Sequence, residues 1–132
     1  MAVERVVATR TKTFDVNPVG KPRQTRSDKW KERPCVMRYR DFCDQVVYQA
    51  EGWDIPKSDL RIVFYVEAPK TKQERAGDPH HLKPDVDNLL KAFFDALEDE
   101  DKYIYDVWAS AYWCKMGNGH IDVYTLDRER LS

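Results

Sequence analysis

The chain reads as one α/β domain of the α+β kind, with elements in the order β-α-β-α-β-β and a mixed sheet covered by two helices. Three observations predict it. Apolar residues recur with a helical period in two stretches, one after Pro34 and one after Asp85. Four other stretches alternate apolar with polar residues or are rich in Val and Thr, as strands are. The length, 132 residues, suits one core and not two, so residues 1–132 form a single domain.

Val3 to Phe14 is Val- and Thr-rich and reads as the first strand. Asp15 to Arg33 holds Asn17-Pro18, Gly20 and Pro22 and reads as a long loop, a place where function concentrates. From Pro34 to about Glu51, Tyr39, Phe42, Cys43, Val46, Val47 and Ala50 form a core-facing helical stripe, and Gly52 stops the helix. Trp53 to Asp59 is a turn. Leu60 to Ala68 alternates, with Leu60, Ile62, Phe64 and Val66 on the buried side. Pro69 to Pro84 is irregular and polar. A second helix runs from Asp85 to about Glu98, followed by the solvated acidic turn Glu98-Asp99-Glu100-Asp101. Val107 to Met116 is a strand, Gly117-Asn118-Gly119 a hairpin turn, and His120 to Leu126 the returning strand. Asp127 to Ser132 reads as a frayed polar tail.

Charge is unevenly spread. The formal net charge is −1, but residues 1–83 carry 17 Lys and Arg against 12 Asp and Glu, and residues 84–132 carry 5 against 11. Residues 21–40 alone hold eight basic side chains, with Trp30 among them, against Asp28 and Glu32. One part suited to phosphate and another suited to a cation fits a nuclease; it also fits two halves that attract each other. Lys21, Arg23, Arg26 and Lys29, with Lys83 further on, are the candidate DNA contacts. Cys35, Cys43 and Cys114 match no zinc spacing and no disulfide framework, so reduced, mostly buried thiols are expected. The adjacent His80 and His81 lack the further ligands of a zinc site. No apolar run approaches membrane-spanning length and no leader segment is visible, so a cytoplasmic protein is expected.

The chain is organised around Lys83-Pro84-Asp85-Val86-Asp87-Asn88-Leu89-Leu90-Lys91-Ala92-Phe93-Phe94-Asp95-Ala96-Leu97. Pro84 disfavours helix at Lys83, so the helix starts at or just after Asp85. Val86, Leu90, Phe93 and Leu97 are expected to form the buried stripe, while Asp87, Lys91 and Asp95 share a polar face. Asp85 and Asp87 then sit close together at the positive end of the helix. Paired carboxylates repel unless a cation lies between them, and a hard divalent cation takes such oxygens. Asp85 also suits a plain N-cap, and Asp87 with Lys91 a plain i, i+4 ion pair.

The string from Pro84 to Leu97 closely resembles the core motif of the RusA-like Holliday junction resolvases, a family of endodeoxyribonucleases. The likeness continues to Asp106 and, more weakly, to Gly20-Lys21-Pro22-Arg23-Gln24-Thr25-Arg26. It implies that Asp85, Asp87 and Asp106 are an acidic triad holding Mg²⁺, with Mn²⁺ able to take its place, and that Lys91 is the active-site lysine. Asn88 and Asp95 match motif positions with a supporting role. It implies a homodimer that binds four-way DNA junctions and makes paired cuts in recombination and repair. One departure stands out: Tyr105 precedes Asp106, where family members often carry two adjacent acids. Two other readings remain at this stage: a Mg²⁺-dependent nuclease for other branched or single-stranded DNA, and a non-catalytic DNA-binding module on the same fold.

Overall fold

The computed structural model describes residues 3–22, 33–56, 59–97 and 106–131. Strand β1 (Val3–Phe14) is followed by helix α1 (Pro34–Gln49), strand β2 (Leu60–Glu67), a short 3-10 stretch (Lys70–Arg75), helix α2 (Val86–Leu97), strand β3 (Val107–Cys114) and strand β4 (His120–Leu131). Pro34 opens α1, where its missing N–H costs nothing. The strands form one mixed sheet in the order β1-β4-β2-β3. β4 runs antiparallel to both β1 and β2, and β2 runs parallel to β3. A parallel pair needs a crossover, and α2 supplies it. The α+β class and the element order are those expected.

Both helices pack on one face of the sheet. Phe42 and Val46 of α1, with Leu89, Ala92, Phe93 and Ala96 of α2, meet Ile62, Phe64, Ile121 and Val123 from the central strands. Phe93 is the hub. Its ring meets Phe14 edge-on at 5.2 Å and Phe64 at 6.2 Å. Such edge-to-face pairs add about 0.5–1.5 kcal/mol beyond their buried area.

Four expectations need correction. The buried stripe of α2 is Leu89, Ala92, Phe93 and Ala96, whereas Val86, Leu90 and Leu97 are only part-buried. The two alanines let the helix approach the sheet closely, so the apolar arc is wider than its bulky residues alone suggest. Val47 of α1 is 55% exposed and not part of the core. Residues 127–131 are not a loose tail: β4 continues through them and pairs with β1 from Val3↔Leu131 onward. The stretch Asp127-Arg128-Glu129-Arg130 is wholly charged, so the sequence carries no hydrophobic signal there. The three cysteines are half-buried, and burial followed by the nearby Glu67 charge pushes the Cys114 thiol up to about 11.

The stretch before α2 is also more ordered than its composition suggests. Pro79 bridges to Tyr112, the His80 N–H donates to the Ala111 carbonyl, and the Trp113 N–H donates to the Asp78 carbonyl. The segment thus lies along the β3 edge and protects it. His80, 6% exposed, packs against Trp113 at 4.3 Å, and neither ring nitrogen has a partner among the described residues. Among the described residues no helix is long and apolar enough to cross a membrane.

Candidate active site

The first turn of α2 explains why this sequence places two carboxylates in one spot. Asp85 is the N-cap: its Oδ1 accepts the Asn88 N–H at 2.9 Å, and its carbonyl accepts the Leu89 N–H at 3.0 Å. One carboxylate oxygen is thereby committed to the helix and the other is left for a ligand. Capping and ligation are compatible roles for this residue. Asp87 lies one turn before Lys91, and its Oδ2 is 3.4 Å from the Lys91 Nζ. Both side chains are largely exposed, so the pair adds only a few tenths of a kcal/mol. Lys83, Pro84, Asp85, Asp87, Asn88 and Lys91 together line an open hollow of about 380 Å³.

The loop after β1 is docked on this hollow. An ideal Cβ on Gly20 would sit 2.5 Å from the Pro84 Cβ and 2.6 Å from the Asn88 Nδ2, so only glycine fits against the entry to α2. The Asn88 Nδ2 donates to the Lys21 carbonyl at 3.4 Å, and the Lys21 Nζ is 2.7 Å from Asp95 Oδ2. Asn17 fixes the other end of the loop by accepting the Glu67 N–H at 2.9 Å. Lys21, expected as a DNA contact, is therefore tied to α2, and Lys83 lies in the hollow itself. Arg23, Arg26, Lys29 and Trp30 lie outside the described residues, as do Tyr105 and the 98–101 turn. Sequence reasoning missed the Gly20–Asn88 contact. The signal for it was a glycine at the mouth of a basic loop, paired with the one amide side chain in the helical motif.

Asp106 is elsewhere. Its carbonyl accepts the Leu60 N–H at 3.0 Å, which puts it where β2 and β3 begin. Pro84 and Asn88 instead meet Gly20, three residues beyond Asn17, whose side chain accepts from Glu67 at the end of β2. The eight residues of β2 separate those ends by about 23 Å. Among the described residues no three His, Cys, Asp or Glu side chains gather to hold a metal ion. One chain thus offers the pair Asp85 and Asp87, both hard, exposed oxygen donors. That set fits Mg²⁺, which takes one or two carboxylates and keeps several waters. A structural zinc ion would need more ligands, and softer ones.

A family model described as Endodeoxyribonuclease RusA matches residues 15–124 of the chain, a span that runs from the docked loop into the first part of β4 and includes every residue of the hollow. No curated protein matches the chain significantly.

Proposed function

The chain belongs to the RusA endodeoxyribonuclease family, and on that premise we propose that it is a Mg²⁺-dependent, structure-selective endonuclease that resolves four-way DNA junctions by paired cuts. One observation carries the reading: two carboxylates and two lysines share a single open hollow at the positive end of a helix, with a basic loop docked at its edge. A pure binding surface for phosphate has no use for two exposed carboxylates beside its lysines, because they repel the ligand.

Each side chain has a distinct task in this reading. Asp85 and Asp87 hold the metal ion. When bound, Mg²⁺ supplies an activated water and stabilises charge on the phosphate oxygens. Lys91, one turn on from Asp87, neutralises charge gathering on the scissile phosphate. Lys83 positions a neighbouring phosphate as a point charge. Asn88 keeps the loop and the helix in register through the Lys21 carbonyl.

Asp106 is read as joining this site from a second copy of the chain, since in its own chain it stands where β2 and β3 begin and does not line the hollow. The separation supports a homodimer with two composite sites, which suits paired cuts on a substrate that has two-fold symmetry. The test is cleavage of four-way, three-way, flap and linear duplex DNA with and without Mg²⁺. The reading expects Mg²⁺-dependent, symmetric nicks on the four-way substrate. Equal cutting of three-way and flap DNA would replace it with a broader nuclease. Tight binding with no cutting under any divalent ion would replace it with a binding module.

A further inference from the structure

The helices cover one face of the sheet, and the other face carries an ordered row of side chains. Strand register places Trp108 beside Arg61, Arg61 beside Tyr124 and Tyr124 beside Arg10. Aromatic and basic residues thus alternate across all four strands. Cross-strand partners share one side of a sheet, and none of these four belongs to the core cluster on the helix side. Trp108 is 51% exposed. Beside the row lies an open hollow of about 400 Å³, lined by Arg61 and Tyr124 with Ala8, Val63, Tyr65 and Tyr112. Among the described residues neither Trp108 nor Tyr124 stacks on another ring, and neither arginine of the row has an ion-pair partner.

Charge and spacing select the ligand. The row holds two guanidinium groups and no acid. The acid in the next row, Asp122, is buried and accepts from Thr13 Oγ1 at 2.7 Å. The two arginines stand two strands apart, as do the two rings, which is about 10 Å at usual strand spacing. A polyanion that carries planar groups along its length meets both kinds of side chain. In duplex DNA the base faces are covered by their neighbours, so a duplex can use only the arginines. A strand with unstacked bases uses the rings and the arginines together. A four-stranded sheet with aromatic side chains on its open face is a recurrent platform for single-stranded nucleic acid, a likeness of architecture alone. Position ties the row to the reaction. Trp108 follows Asp106 by two residues, about 7 Å along β3, and Arg61 follows Leu60, whose N–H donates to the Asp106 carbonyl.

We propose that this face binds an unpaired stretch of DNA, with bases stacked on Trp108 and Tyr124 and phosphates held by Arg10 and Arg61. The inference deepens the nuclease reading and rests on it in one respect, that the bound strand belongs to the DNA that is cut. Strand binding itself needs neither Mg²⁺ nor cleavage. A branched substrate supplies such a stretch where base pairs part, at the branch point.

The experiment is the affinity of the intact chain for a fluorescent oligothymidine strand, by anisotropy without divalent ions. The proteins are wild type, Trp108→Ala, Trp108→Phe, Arg61→Gln and the control Tyr48→Ala. Tyr48 lies on α1, away from this face, and is 74% exposed. Trp108→Ala should bind about 5- to 100-fold more weakly, the range for losing one stacked base, while Trp108→Phe keeps most of the affinity and the control all of it. Arg61→Gln should flatten the log-log salt slope by about 0.7, the value for one single-strand phosphate. A strand made abasic but keeping its phosphates should bind wild type more weakly by a similar factor and leave Trp108→Ala nearly indifferent. A merely structural role for Trp108 produces no such coupling. Wild-type affinity in Trp108→Ala, or an equal loss on intact and abasic strands, overturns the proposal. Photocrosslinking of wild type to a strand carrying iodouracil covers the case of a variant that fails to fold. Crosslinks should map to Trp108 or Tyr124, and crosslinks confined to other parts of the chain overturn it. If a second copy of the chain or another protein covers this face instead, wild type does not tell intact from abasic strands, and the proposal falls. Nicking of four-way DNA with Mg²⁺ separates the two readings. Nicking alongside strand affinity that ignores Trp108 sinks this inference and spares the nuclease; strand binding through this face without nicking does the reverse.

Discussion

Gly20→Ala probes how far the docked loop matters to the site. The added Cβ would lie 2.5 Å from the Pro84 Cβ, 2.6 Å from the Asn88 Nδ2 and 3.2 Å from the Pro84 Cγ. Apolar atoms settle at about 3.5–4.0 Å, so the loop must withdraw by about 1 Å. Pro84 is a closed ring and cannot swing aside. The Asn88–Lys21 hydrogen bond, already 3.4 Å long, does not survive such a shift. Overpacking of this kind costs about 1–3 kcal/mol, which for a domain of this size lowers Tm by about 3–10 °C. Because Asp85 and Asp87 belong to the helix and not to the loop, Mg²⁺ binding should persist. The loss should appear in DNA affinity and KM more than in single-turnover cleavage at saturating enzyme. Adding Asn88→Ala removes one of the two clashing groups, so the double variant should be less damaged than the sum of the singles. A Gly20→Ala protein with wild-type Tm and wild-type DNA affinity would refute this account of the loop.

Three further outcomes follow from the same geometry, and a fourth from the basic residues of the 21–40 segment. Asp85→Asn should keep Tm within about 1 °C, since Asn caps a helix as well as Asp does, yet abolish cleavage; Asp85→Ala should lose cleavage and about 1 kcal/mol as well, and unchanged cleavage in Asp85→Asn would reduce the residue to a cap. Lys91→Ala should lose much of the cleavage rate while leaving Mg²⁺ affinity and Tm nearly unchanged, because its exposed pair with Asp87 adds little stability. Burial lowers the affinity of His80 for a proton below that of an exposed histidine, so the unfolded chain takes up that proton first, and the stability held by neutral His80 drains away as pH falls below about 6.5. His80→Phe should keep the packing on Trp113 and flatten melting temperature between pH 7 and pH 5; an unchanged pH profile would clear His80 of that role. Arg23→Ala with Arg26→Ala should flatten the salt dependence of DNA binding, by about 0.9 in log-log slope for each phosphate no longer neutralised, and an unaltered slope would move the DNA surface elsewhere.

Much of the fold was legible because periodicity reports burial. Leu60, Ile62, Phe64 and Val66 alternate and are all buried, and Phe42 with Val46 marks the inner side of α1. The reading slipped where burial depends on small residues or on hydrogen bonds alone. Ala92 and Ala96 carry little hydrophobic weight in sequence, yet they set which side of α2 meets the sheet. Residues 127–131 pair with β1 through backbone groups, which leave no mark on composition. The same limit holds at the candidate site. Asp85, Asp87 and Lys91 fall within two helical turns, so their meeting follows from spacing. Asp106 lies about twenty residues further along, and where it falls depends on the parallel β2–β3 crossover. Only the topology shows that it stands beside Leu60, where β2 and β3 begin. Gly20 against Pro84 and Asn88 is a contact across more than sixty residues, beyond the reach of any local pattern.

The central claim is that each cleavage site takes Asp85 and Asp87 from one chain and Asp106 from another. Mixing two inactive variants tests it most directly. Asp87→Asn and Asp106→Asn chains are unfolded together in equal amounts, refolded, and assayed on four-way DNA with Mg²⁺. In a mixed dimer one site carries both lesions and the other carries neither. With random pairing, about a quarter of the wild-type sites return, and they should give single nicks in place of paired cuts. If the mixture stays as inactive as either variant alone while wild type refolded the same way cleaves, the site is not shared between chains and the account is contradicted.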